Sequence, residues 1–146
     1  MVAHALIDTG PIVALLRRDD PWHLACRAAL EQLRTPLLTS DAVLAEVFHF
    51  LGGDSSRLEA AWRFLRSGTV TLGPITDADL PSLDALMGQY QDRPMDFADA
   101  TLVHLAHRES LATIFTIDHD DFETYRIPGG RRFRMVPGTP AVGRRQ

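Results

Sequence analysis

Two rhythms of apolar positions alternate along the chain. Residues 2–7 form a short, mostly apolar run, Val2-Ala3-His4-Ala5-Leu6-Ile7. Such a run predicts a strand buried on both faces, and so a parallel, central one. It stops at Asp8-Thr9-Gly10-Pro11, where Gly permits a turn and Pro suits the first position of a helix through Arg18. Asp20-Pro21 opens a second helix to Leu33, with Trp22, Cys26, Ala29, Leu30 and Leu33 on its inner face. Residues 36–39 are a brief strand. Ser40 or Asp41 then caps a third helix that runs to Leu51 and ends at Gly52-Gly53. Asp54-Ser55-Ser56 starts another, through Leu65. Residues 69–72 form a third strand, and Thr76 or Asp77 opens a long helix to about Gln91. Arg93-Pro94 breaks it.

The next stretch organises the rest. Asp96 suits an N-cap, and Ala98, Leu102, Leu105 and Ala106 recur at helical spacing. A strand over residues 112–117 follows and stops in acid, Asp118-His119-Asp120-Asp121, of which Asp120 and Asp121 read as turn residues. Residues 133–136 suit a last edge strand. Strands alternating with helices predict an α/β domain with a mainly parallel sheet. No repeat or linker divides it, so residues 1–136 read as one domain and 137–146 as a flexible basic tail.

Composition narrows the function. A chain of 146 residues has room for one real core. No apolar run approaches the ~20 residues that span a bilayer. Residues 2–7 are too short for a signal-peptide core, and a single Cys allows neither an internal disulfide nor a cysteine-rich zinc site. The cytoplasm is the expected compartment. All 15 basic residues are Arg, so a Walker-type phosphate loop, which needs Lys, is excluded. Residues 1–123 carry all 19 acids and nine Arg, a net −10, while residues 124–146 carry six Arg and no acid, a net +6. An acidic body with a basic end suits contact with nucleic acid or an acidic partner.

Four acids stand where apolar elements begin, end or turn: Asp8 after strand one, Glu46 inside an apolar helix, Asp99 at a helix start and Asp118 after strand four. Carboxylates gathered together repel and take up protons unless a cation joins them. Oxygen donors without soft ligands suit Mg²⁺ or Mn²⁺. Such an ion stabilises charge on a phosphate under attack, so the pattern points to phosphodiester hydrolysis. Asp8 and Asp96 also have simpler readings as helix caps.

Four segments carry a resemblance: Asp8-Thr9-Gly10-Pro11-Ile12-Val13-Ala14-Leu15-Leu16; Leu44-Ala45-Glu46-Val47; Met95-Asp96-Phe97-Ala98-Asp99-Ala100-Thr101-Leu102-Val103; and Phe115-Thr116-Ile117-Asp118 with Asp121-Phe122. In this order over residues 2–136 the chain resembles the PIN-domain family, and within it the VapC toxins of bacterial toxin–antitoxin pairs. The resemblance implies a three-layer α/β/α fold and Mg²⁺- or Mn²⁺-dependent endoribonuclease activity. It also implies a homodimer and inhibition by a small cognate antitoxin. Asp8, Glu46, Asp99 and Asp118 match the family's acidic quartet as catalytic and metal-binding residues. Asp96 shares a helical face with Asp99. Thr9 and Thr116 are candidates to hold a metal-bound water or a phosphate oxygen.

Other chemistries fit less well. Glu46-Val47-Phe48-His49 is a single Glu-x-x-His, and di-iron bundles need two. His104 and His107 lack a third soft ligand. A haloacid-type phosphatase wants an Asp where Gly10 stands, and no Gly-x-Ser-x-Gly elbow occurs. Trp22, Trp62 and the Phe residues fall at helical spacing and suit core or dimer surface rather than base stacking. Two alternatives keep the fold: an RNA- or protein-binding regulator without catalysis, and a structure-selective DNA nuclease. Grip on an RNA backbone must come from Arg, whose fork matches phosphate. Arg17, Arg18, Arg93, Arg131, Arg132 and Arg134 are the candidates.

Overall fold

The structure is a computed structural model and describes residues 2–138. The tail expected from residue 137 lies outside the described residues from 139 onward. In chain order the elements are β1 (Leu6–Ile7), α1 (Thr9–Leu16), α2 (His23–Gln32), β2 (Leu37–Thr39), α3 (Asp41–Leu51), α4 (Ser55–Leu65) and β3 (Val70–Leu72). There follow α5 (Leu80–Gln89), α6 (Phe97–Glu109), β4 (Thr113–Phe115), α7 (His119–Thr124), β5 (Arg126–Ile127), β6 (Arg131–Arg132) and β7 (Arg134–Val136).

Five strands form one parallel sheet in the order β3-β2-β1-β4-β7. Helices cover it as an α/β/α sandwich. β1 is central, as expected, but shorter than the strand expected over residues 2–7: only Leu6 and Ile7 are strand and wholly buried, while Val2 and His4 are exposed. β7 is the expected edge strand, paired in register with β4 through Ile114 and Met135. The chain reverses direction across the sheet at β1, whose neighbours are β2 on one side and β4 on the other. In open α/β sheets the crevice beyond the carboxyl ends at such a point is where ligands bind. Asp8 stands there, directly after β1.

The side chains that begin the helices act as caps. The Ser40 hydroxyl accepts the Val43 N–H, Asp54 accepts from Ser56 and Arg57, and Asp96 accepts from Asp99. Several boundaries differ from expectation for local reasons. α2 begins at His23, because the Asp20 carboxylate takes the Trp22 N–H and folds residues 20–22 into a turn. The long helix expected from 76 opens as a 3-10 turn over Asp77–Asp79, tightened by a capping box between Thr76 and Asp79, before α5 begins.

Asp120 and Asp121 are not turn residues. They lie in the first turn of α7, which Asp118 caps by accepting the Asp121 N–H at 3.3 Å. The antiparallel pair β5–β6 was also not expected. Its turn is Pro128-Gly129-Gly130, with φ of +84° and +74° at the two glycines, a region open to Gly. Gly10 lies inside α1 rather than in a turn. A Cβ there would stand 2.6 Å from Ile117 Cγ1, so glycine lets the segments after β1 and β4 close together.

Candidate active site

Asp8, Glu46, Asp96, Asp99 and Asp118 line one open cleft of about 630 Å³, with Asp20 also on its wall. They reach it from separate elements: the end of β1, the middle of α3, the cap and first turn of α6, and the segment after β4. A hydrogen-bond chain ties those elements together. Asp8 Oδ1 accepts the Thr9 N–H at 2.8 Å, and Oδ2 accepts the Thr116 hydroxyl at 3.0 Å. The same Thr116 oxygen accepts the Asp118 N–H at 3.0 Å. The Thr9 hydroxyl donates to Glu46 Oε1 at 2.7 Å. Thr9 and Thr116 therefore hold the acids rather than standing free for a ligand. Behind them, Ser40 and Thr101 share a 2.7 Å hydroxyl contact that locks the start of α3 to α6.

Asp8 and Asp99 are each only 7% exposed, whereas Asp96 and Asp118 are exposed and Glu46 is half-buried. Burial pushes the Asp8 carboxyl up to about 7 against the hydrogen bonds from Thr9 and Thr116, with repulsion from Asp118 and Glu46 adding to the rise. Burial also raises Asp99, to about 8, with further repulsion from Asp8 and Asp96. Asp118 is raised as well, by partial desolvation of its carboxyl and by its neighbour Asp121. The two buried carboxyls thus resist carrying charge together, and a nearby cation relieves both.

The donor set is oxygen only; no His or Cys lines the cleft. Among the described residues, no three His, Cys, Asp or Glu side chains already converge as a ready ligand cluster. An oxygen-only donor set suits a hard ion such as Mg²⁺, which keeps several of its waters. Asp8 and Asp99 are the buried pair that fits it, with Glu46 and Asp118 beyond them.

The basic candidates separate. Arg17 is the one Arg lining the cleft, held loosely by Asp19 at 3.5 Å. Arg93 donates to Asp121 at 3.1 Å and so braces α7. Arg132 pairs with Glu123 on the β5–β6 side. Arg18, Arg131 and Arg134 are exposed and outside the cleft lining. His104 Nε2 donates to the Asp79 carboxylate (2.8 Å), and His107 Nε2 donates to the Arg126 carbonyl (3.0 Å), so neither histidine faces the acid cleft.

Besides Asp20, which was expected only to open the second helix, two residues at the site were not foreseen. Phe50, expected in the core or at a dimer surface, is 58% exposed and lines the cleft. Tyr125 is wholly buried, and its hydroxyl donates to Asp99 Oδ2 at 2.9 Å. Spacing reveals neither. The one available signal for Tyr125 is that a buried tyrosine needs a partner for its hydroxyl.

The family model described as PIN domain matches residues 5–127 of the chain. Ribonuclease VapC26 of Mycobacterium tuberculosis is 30% identical over 135 residues, which cover 90% of this chain and 99% of that protein. Among solved structures, the sarcin-ricin loop cleaving toxin VapC20 of Mycobacterium tuberculosis has the same fold. It superposes with a TM-score of 0.70 at 20% identity, over 80% of this chain and 91% of that one.

Proposed function

Because the chain belongs to the PIN-domain family, in its VapC branch, we propose that its acid cleft hydrolyses RNA phosphodiesters as a divalent-metal-dependent endoribonuclease, the toxin of a toxin–antitoxin pair. One observation carries the reading. Separate elements deliver six carboxylates, Asp20 among them, to one cleft at the carboxyl end of a parallel sheet, in a chain aligned along 90% of its length with a ribonuclease.

Asp8 and Asp99 are the residues that would hold the ion, Mg²⁺ or Mn²⁺, with Glu46 and Asp118 as the further acids of the quartet. The bound ion supplies Lewis acidity and offsets the negative charge that grows on the phosphate. Thr116 keeps Asp8 turned toward the cleft, and Thr9 fixes Glu46. Asp96 caps α6 and keeps the Asp99 backbone in place. An antitoxin that inserts an Arg or Lys among these carboxylates would replace the ion's charge and close the groove. A homodimer in the cytoplasm belongs to the same proposal, on the VapC resemblance alone. Among the described residues no helix is long and apolar enough to cross a membrane.

The direct test is cleavage of single-stranded RNA and DNA with Mg²⁺, Mn²⁺ or excess chelator, beside expression of the chain with and without the small protein of the neighbouring gene. Metal-dependent RNA cleavage and growth arrest relieved by that neighbour are expected. Full activity in chelator would sink the reading, and cleavage confined to DNA would favour the other nuclease class.

Arg17 is the lining residue able to grip the backbone. In a cleavage-silent background, Arg17→Ala is expected to weaken RNA binding and to lower the slope of log affinity against log salt by about 0.7, one single-strand phosphate contact. An unchanged slope would move the grip to Arg18, Arg131, Arg132 or Arg134.

A further inference from the structure

We infer that Tyr125 is a positioning residue for the cation site: its hydroxyl fixes Oδ2 of Asp99 and leaves Oδ1 turned into the cleft as the ligand oxygen. This inference rests on the divalent-cation reading above. Tyr125 is 0% exposed, and its hydroxyl meets the Asp99 carboxylate at 2.9 Å. A hydrogen bond to a carboxylate is stronger and more directional than one to a neutral acceptor. Asp99 is thereby held at two points. Its backbone N–H goes to Asp96 Oδ1 at 2.8 Å, and its side chain goes to Tyr125. Oδ1 of Asp99 has no hydrogen-bond partner among the described residues. Yet none of their buried side-chain oxygens or nitrogens is left without one. Oδ1 must therefore reach the solvent, and the solvent beside Asp99 fills the acid cleft.

The phenol is held in place by its surroundings. Its ring meets Tyr90 edge to face at 5.1 Å and Phe122 at 5.2 Å, and Phe122 meets Phe133 at 5.7 Å. The Tyr90 hydroxyl is engaged elsewhere, accepting the Arg126 N–H at 3.0 Å. An aromatic cluster spanning α5, α7 and the segment before β7 thus sets the direction of one carboxylate oxygen. Removing a partner that orients a metal ligand lowers metal affinity about 10- to 100-fold.

Mn²⁺ binding to the full chain, followed by electron paramagnetic resonance without RNA, tests this. Tyr125→Phe keeps the ring and is expected to weaken Mn²⁺ about 10-fold or more. It should also move the Mn²⁺ dependence of RNA cleavage to higher concentration. Tyr90→Phe removes a hydroxyl from the same cluster but none from Asp99, and should leave Mn²⁺ affinity unchanged. Equal loss in both variants, or none in Tyr125→Phe, overturns the inference. If the wild-type chain binds no Mn²⁺, the cation reading itself fails and this inference with it, a result visible before any variant is made. Should Tyr125→Phe not fold, the unaltered chain still decides. It contains two tyrosines, so ring-labelled tyrosine gives two sets of signals, assigned through Tyr90→Phe. Mg²⁺ should shift the Tyr125 set and spare the Tyr90 set; a silent Tyr125 overturns the inference.

Discussion

Asp8→Asn and Asp99→Asn are each expected to lower RNA cleavage roughly a thousandfold, and to raise the melting temperature of the metal-free protein at about pH 8. A divalent ion contributes several kcal/mol to a phosphoryl transition state, and each 1.4 kcal/mol is about tenfold in rate. The rise in stability has a separate cause. Both carboxyls are pushed up by burial, and each faces further acids across the cleft. Asn has nearly the same shape and no charge, so the substitution removes a charge that the fold resists. The local bonds survive, since Asn still offers an oxygen to the Thr9 N–H, and the Thr116 hydroxyl can accept as well as donate. Cleavage rates and melting curves in chelator, on the same preparations, check both halves. A variant that loses activity and also melts earlier would mean these acids support the fold rather than the chemistry. One that keeps activity would remove it from the site.

Legibility in the sequence follows from what each signal depends on. β1 was readable because a short apolar run buried on both faces has few other uses, and Leu6 and Ile7 are indeed wholly enclosed. Asp8, Asp99 and Asp118 stood out because acids are conspicuous at the ends of apolar elements, and Glu46 because it interrupts an apolar helix. That they share a cleft is a tertiary fact. Periodicity holds no information on it, and the ordered resemblance of four segments supplied it. Partnerships between distant side chains were not readable. Thr116 bridges Asp8 and Asp118 in a segment that spacing treats as strand. Arg93, a candidate for RNA, is engaged by Asp121 across 28 positions. α7 was missed because a run of acids suggests a turn, yet Asp118 caps a helix that Phe122 and Tyr125 anchor in the core.

Metal-free protein is expected to be most stable near pH 4 and to lose stability as pH rises toward 9. The sign follows from the two buried acids. Asp8 and Asp99 sit at about 7 and about 8 in the folded chain, against an ordinary value of 3.8. Between those limits the folded state binds more protons than the unfolded state, so stability falls with rising pH. It is fully present below about pH 4 as far as these groups are concerned, and it is lost through the interval up to their folded values. Each tenfold gain in proton affinity on folding is worth about 1.4 kcal/mol. Even one such step at each acid amounts to about 3 kcal/mol, or roughly 5–10 °C in melting temperature for a domain of this size. Asp54 and Asp79 act in the opposite sense. Hydrogen bonds from Ser56 and Thr76, respectively, hold them below the ordinary value, so their contribution is lost as the pH falls through that low range. These opposed slopes place the maximum between them. Mg²⁺ or Mn²⁺ at 100 times its dissociation constant should return about 2.7 kcal/mol, and the gain should grow with pH, because the ion binds the charged carboxylates. Melting curves at about pH 5 and pH 8.5, in chelator and in Mn²⁺, read all of this directly. A flat alkaline limb in chelator would show that Asp8 and Asp99 ionise without strain. The doubly substituted Asp8→Asn, Asp99→Asn chain should abolish both the alkaline decline and its reversal by metal, which separates these two acids from every other titrating group.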